Sequence, residues 1–188
     1  MDKKIILASN SPRRRQLLAG LGIHFEVKTI DGVDESYPDG LEPEKTAEYI
    51  ANEKSLAYEI SPDEILITAD TIVLCDGVIL GKPIDEADAW RMLKAISGKT
   101  HKVITGVCLR STRLKSLFSV TTEVTFKQLT DEEIGYYIEN YAPYDKAGAY
   151  GIQEWIGYVG VTSISGSYFN VMGLPVQRIY EELKNSHL

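Results

Sequence analysis

Three consecutive arginines, Arg13, Arg14 and Arg15, follow Ser11 and Pro12 at what reads as the opening turn of a helix. Ser11 is a good N-cap residue and Pro12 suits the first helical position. Cations in that turn oppose the helix dipole, each by roughly a few tenths of a kcal/mol. A bound anion, held by the free amides and an arginine side chain, is the simplest compensation. Lys54 is a second anomaly, because Ala47, Ile50, Ala51, Lys54 and Tyr58 share one face of a helix and so place an ammonium in an apolar stripe. It is either a snorkelling stem at the edge of the core or a functional cation. Asp70 interrupts the apolar runs ILITA and TIVLC within a strand. A carboxylate there needs a partner, a metal or a catalytic task, unless it caps a turn at the strand end. Lys82, in LGKP, and Glu35, in VDES, are ordinary surface residues when taken singly. Glu35 becomes a metal ligand only if it meets Asp70.

Together these residues are the parts of a site for a metal-bound polyphosphate. The familiar alternatives lack their motifs: there is no GxxxxGK[ST], no GxGxxG opening a helix, no GxSxG and no HExxH. His24, His101 and His187 are scattered and receive no chemistry. Cys75 and Cys108 lack CxxC spacing and read as two buried free thiols of a reducing compartment. With 27 acidic against 20 basic residues the net charge is −7, which argues against a nucleic-acid-binding face, so an anionic ligand has to be met by local charges. The amino-terminal apolar run is too short for a signal peptide, and no run of 18 apolar residues occurs. The expected protein is cytoplasmic, away from membranes and nucleic acid.

The elements that must position these residues follow from periodicity and punctuation. A buried strand from Lys4 leads into the Ser11-capped helix, and a second strand runs from Phe25 to Ile30, a β-α-β opening. A helix is expected from Pro43 to Glu59, then the central strand EILITADTIVLC and a short return over Val78 to Leu80. Asp85 and Asp88 flank the start of a helix that Gly98 stops. Strands over His101 to Leu109 and Ser116 to Phe126 form an antiparallel pair, the second with Phe118, Val120, Val124 and Phe126 on one face. Thr130 to Glu133 is a capping box opening a helix to Tyr141. The Gly-rich KAGAYGIQ follows, then a strand from Tyr158 to Ile164, the loop SGSYFNVMGLP and a last helix from Pro175. The expected fold class is α/β, a mixed central sheet flanked by helices in two lobes around a cleft, with residues 1–188 as a single domain.

Seven blocks carry a resemblance to a known family: ASNSPRRRQLL at 8 to 18, VDES at 33 to 36, ADTIV at 69 to 73, LGKP at 80 to 83, SGKTHKVITGV at 97 to 107, DKAGAYGIQ at 145 to 153 and GSYFNVMGLPV at 166 to 176. In this order, over nearly the whole chain, they resemble the Maf family of nucleoside triphosphate pyrophosphatases. The resemblance implies a fold similar to the inosine triphosphate pyrophosphatases, dependence on a divalent metal cation (Mg²⁺ or Mn²⁺), and hydrolysis of a nucleoside triphosphate to monophosphate and pyrophosphate. It also implies roles by position: Asp70 as general base, Ser9, Arg13, Lys54 and Lys82 as phosphate-binding groups, and Glu35 as a metal-side carboxylate beside Asp70. Arg13, Thr71 and Gln153 fall where subgroups differ in base selectivity, and the ADT and GIQ forms resemble the subgroup acting on dTTP and UTP. Ala142 departs from the family pattern, which has an acidic residue before this proline.

The reading is therefore metal-assisted attack of water on the α-phosphorus of a nucleoside triphosphate, with Arg13 facing the phosphates at the helix N-terminus. Attack at the α position comes from the resemblance, because the residue types alone fit a phosphatase equally well. Arg14 and Arg15 are either solvated or support a homodimer. The rival from another class is a nucleotide-binding regulator of cell division without turnover.

Overall fold

The computed structural model describes residues 3–185; the first two residues and the last three, with His187, lie outside them. Among the described residues, seven strands, β1 (Lys4–Leu7), β2 (Phe25–Val27), β3 (Glu64–Cys75), β4 (Val78–Leu80), β5 (Thr100–Arg110), β6 (Lys115–Phe126) and β7 (Val161–Ser165), form one mixed sheet in the order β2-β1-β3-β5-β6-β7, with β4 paired to β3. The chain divides into two compact units. One comprises residues 1–70, 105–120 and 173–188, and the other residues 71–104 and 121–172.

In the first unit, β1 (Lys4–Leu7) lies between β2 (Phe25–Val27) and the first half of β3 (Glu64–Cys75), all parallel, with Ile5 opposite both Phe25 and Ile65. The connection from β1 to β2 is α1 (Pro12–Ala19). Its N-cap, Ser11, is in extended conformation and accepts from the Arg14 amide at 3.4 Å, so the three arginines do occupy the first turn. The expected helix from Pro43 begins as a 3₁₀ turn, Pro43–Lys45, and becomes α2 only over Thr46–Leu56. Its apolar side chains Ala47, Ile50 and Ala51 are buried, and the Thr68 hydroxyl of β3 donates to the Ala51 carbonyl at 2.6 Å. Gly106, in β5 (Thr100–Arg110), permits α2 to pack closely: a Cβ there would lie 2.2 Å from the Ala47 carbonyl oxygen, so any other residue would push α2 off the sheet.

In the second unit, the rest of β3 pairs antiparallel with β4 (Val78–Leu80), Val73 opposite Leu80. Helix α3 (Glu86–Ile96) is capped by Asp85, which accepts from the Asp88 amide at 2.8 Å, and Gly98 turns the chain away at φ +69°. Strand β6 (Lys115–Phe126) has residues in both units; Phe118, in the first, and Thr122, Val124 and Phe126, in the second, are buried as its alternation predicts, whereas Val120 of the same face is half-buried. The capping box is present: Thr130 and Glu133 bond reciprocally at the start of α4 (Asp131–Tyr141). The core of this unit gathers Leu93, Phe126, Ile134, Tyr137 and Ile156. Both cysteines are free and buried.

Three expected elements differ. The strand placed at Tyr158 to Ile164 is instead a short helix, α5 (Trp155–Gly160), followed by β7 (Val161–Ser165). Gly157 is the physical reason. Its bare Cα lies so close to the Ile152 carbonyl that a Cβ would sit 1.8 Å from that oxygen, and the chain coils there while Tyr158 projects into solvent. The loop after β7 contains one helical turn, α6 (Tyr168–Val171), capped by Ser167 before the last helix, α7 (Val176–Asn185). The strand expected to Ile30 stops at Val27.

Candidate active site

In the first unit, α2 and β3 bring an ammonium and a carboxylate together. Lys54 lies in the last turn of α2 and Asp70 in the middle of β3, and Lys54 Nζ donates to Asp70 Oδ1 at 2.8 Å. The same nitrogen lies 2.7 Å from Glu35 Oε1. Both Lys54 and Asp70 are largely enclosed, at 15% and 14% side-chain exposure, whereas Glu35 is half in solvent. The cation in the apolar stripe is thus not a snorkelling stem; it spans the two carboxylates singled out in the sequence. Among the described residues, Asp70 hydrogen-bonds only to Lys54, which leaves carboxylate lone pairs for a water or a cation.

Helix α1 reaches this cluster through Arg14, whose charge acts on Asp70 and Glu35. Ser9 is buried, and its hydroxyl accepts from the Ser11 amide at 3.2 Å, which shapes the turn into the helix. Arg13 is half-buried in the first turn. Arg14 is half-buried and bonded within the chain. Its Nε donates to the Gly173 carbonyl and its Nη1 to the Ala69 carbonyl, each at 2.8 Å. Burial pulls the guanidinium below its ordinary pKa, and the neighbouring Asp70 charge opposes that shift. Arg14 therefore ties the helix start to the peptide that precedes Asp70, a role that three arginines in a row do not distinguish among themselves.

In the second unit, Thr71 is half-buried on β3 and Lys82 is exposed in the turn after β4. The Gly148 amide donates to the Gly81 carbonyl at 3.0 Å and so fixes the turn that carries Lys82. Gln153 stands in the turn between Gly151 and Glu154, and its Oε1 is buried without a hydrogen-bond partner. Beside it is a group that sequence reasoning missed. Lys146, with 9% of its side chain exposed, pairs with Asp145 at 2.8 Å and with Glu154 at 3.0 Å. Tyr137 donates to Glu154 and accepts from the Gly151 amide at 3.0 Å. A charged residue ahead of the small residues of DKAGAYGIQ was the available signal for Lys146; Tyr137, on an amphipathic helix, offered none.

Glu35 and Asp70 both meet the Lys54 ammonium with carboxylate oxygens, the donor type that Mg²⁺ and Mn²⁺ prefer. Among the described residues no group of three or more His, Cys, Asp or Glu gathers that could hold a metal ion. No helix among the described residues is long and apolar enough to cross a membrane.

Comparisons with known proteins agree over nearly the full length. A protein from Phocaeicola vulgatus named dTTP/UTP pyrophosphatase is 64% identical over 96% of this chain and 95% of its own. One of the same name from Bacteroides fragilis is 58% identical over the same shares. Among solved structures, a HAM1 protein from Coxiella burnetii matches with a TM-score of 0.46 and 14% identity, covering 98% of this chain and all of the other. The family described as Maf-like protein matches residues 4–186, and the chain accordingly belongs to the Maf family.

Proposed function

We infer that the protein is a nucleoside triphosphate pyrophosphatase that hydrolyses dTTP and UTP to the nucleoside monophosphate and pyrophosphate. The observation that carries the chemistry is the contact of Lys54 with both Asp70 and Glu35, a base, a cation and a second acid gathered from a strand, a helix and a loop. The names borne by the relatives at 64% and 58% identity support the substrate class.

In the proposed reaction, Asp70 orients a water and takes its proton as the water oxygen bonds to the α-phosphorus. The bond from that phosphorus to the bridging oxygen breaks, and pyrophosphate leaves with the electron pair. Lys54, Lys82 and Arg13 balance negative charge on the phosphate oxygens, and Ser9 donates a hydroxyl hydrogen bond. Glu35 and Asp70 would hold a divalent cation, whose contribution when bound is to draw charge from the phosphate oxygens. Gln153, with Thr71 as a second contributor, reads the base: its amide matches the O4 acceptor and N3–H donor of uracil and thymine, a pattern that cytosine inverts. The cytoplasm is the proposed compartment, and the net charge of −7 favours no nucleic-acid partner.

The test is a panel of UTP, dTTP, CTP and ATP in Mg²⁺ or Mn²⁺, with pyrophosphate and orthophosphate both measured. Pyrophosphate from UTP and dTTP in excess over the others is the expected result. Orthophosphate as the product would make the protein a phosphatase, and no product with measurable binding would make it a regulator.

A further inference from the structure

Discrimination by a side-chain amide needs an amide that does not turn over, because a freely rotating glutamine offers either polarity to either base. Around Gln153 the chain closes a ring of hydrogen bonds. The Gly151 amide donates to the Tyr137 hydroxyl, that hydroxyl donates to Glu154, and the Glu154 amide donates back to the Gly151 carbonyl at 3.0 Å. Gln153 lies inside the tetrapeptide that this ring clasps. Three side chains converge over the bare Cα of Gly151: a Cβ there would meet Glu154 Cδ and Lys146 Cε at 3.0 Å and Gln153 Nε2 at 3.1 Å. The amide nitrogen of Gln153 thus sits beside the ion pair of Glu154 and Lys146, while its Oε1 is buried with no partner.

The geometry points to Tyr137, Glu154 and Lys146 as positioning residues that set the polarity of the Gln153 amide and hence the preference for uracil and thymine over cytosine. This rests on Gln153 being the base reader. The Glu154 carboxylate attracts the amide NH₂ and repels its oxygen, so the amide that turned over would place Oε1 against a negative charge. The oxygen left over is an acceptor awaiting a donor such as the N3–H of uracil, and leaving it unpaired is costly. Lys146 holds Glu154 in place through their ion pair, with Asp145 on the outer side of the same ammonium. Burial raises the Tyr137 hydroxyl far above the ordinary phenol range, with the Glu154 bond adding to the shift, so the phenol remains a donor at every working pH.

The experiment measures kcat/KM for UTP and CTP, and the melting temperature, in the wild type and in Gln153→Glu, Tyr137→Phe and Glu154→Gln. Tyr137→Phe keeps the buried ring and removes only the hydroxyl; Glu154→Gln keeps the shape and removes the charge. Each is expected to lower the UTP:CTP ratio by about tenfold through a rise in the KM for UTP and a gain with CTP. Should Tyr137→Phe fail to fold, Glu154→Gln decides alone. A ratio that falls in Gln153→Glu but stays at the wild-type value in the other folded variants overturns the positioning role and leaves Gln153 as reader. Equal proportional losses of UTP and CTP turnover in those variants, with a lower melting temperature, overturn the positioning role in the same way. A ratio unmoved by Gln153→Glu overturns the reading itself, and the positioning role with it.

Discussion

Lys54 in one unit and Lys146 in the other are built alike and end differently. Each is an enclosed ammonium, 15% and 9% exposed, between an inner carboxylate and an outer one. The inner acids are Asp70 and Glu154, at 14% and 21% exposure, and the outer acids Glu35 and Asp145, at 49% and 59%. The difference is one neutral hydroxyl. Tyr137 spends a donor on Glu154 and ties it to the Gly151 backbone, so that carboxylate belongs to a closed network. Asp70 has no hydrogen-bond partner other than Lys54 among the described residues, so it retains capacity for a ligand. A lysine between two acids is therefore not itself a sign of catalysis. What distinguishes a working carboxylate from a structural one is whether its remaining lone pairs are spoken for.

Four substitutions put this contrast at risk. Asp70→Asn should lower kcat by about a hundred- to ten-thousandfold with the fold intact, since the amide neither takes a proton nor carries full charge. A variant retaining more than roughly a tenth of the wild-type kcat at saturating metal would remove Asp70 from the chemistry. Lys54→Met comes next, with kcat/KM for UTP down about a hundred- to a thousandfold. Its melting temperature should move by no more than about 3 °C, because Met fills the stem's volume, Glu35 is already half solvated, and the Arg14 guanidinium remains beside Asp70 as a second cation, which Glu154 lacks. An active Lys54→Met enzyme would make the two lysines equivalent and the contrast void.

Lys146→Met reverses that split. It leaves Glu154 enclosed without its cation, at a cost of roughly 3 kcal/mol, so thermal unfolding should move down by about 6–12 °C. A melting curve superimposable on the wild type would show that the closed network contributes no stability. The smallest effect is expected from Arg14→Lys, in which one ammonium replaces a guanidinium that bonds two carbonyls. Steady-state kinetics should show kcat reduced by about tenfold with little change in KM, because the peptide before Asp70 is held less firmly. A rise in KM alone would assign Arg14 to substrate binding instead.

Much of the first unit was legible because its signals are local. Ser11 and Pro12 mark a helix start through backbone groups within one turn, and a charge at position 70 inside an apolar strand is conspicuous whatever surrounds it. The helix from Trp155 and the turn at Tyr168 were not legible, since close approaches to Ile152 and to Thr122 decide them, and neither leaves a periodic trace. The same limit applies to Arg13, Arg14 and Arg15, which composition treats as one.

The α/β order of elements, their caps and turns, and the set of residues with phosphate-handling chemistry are all written in the chain itself. They follow from propensity, periodicity and side-chain type, which are properties of a residue and its near neighbours. Which acid meets which base is settled only when the elements pack: Lys54 with Glu35 and Asp70, Arg14 with the carbonyl of Gly173, and Tyr137 with Glu154. Such pairings join residues far apart in sequence, and they depend on the desolvation that makes a buried charge or amide accept only a partner of matching polarity.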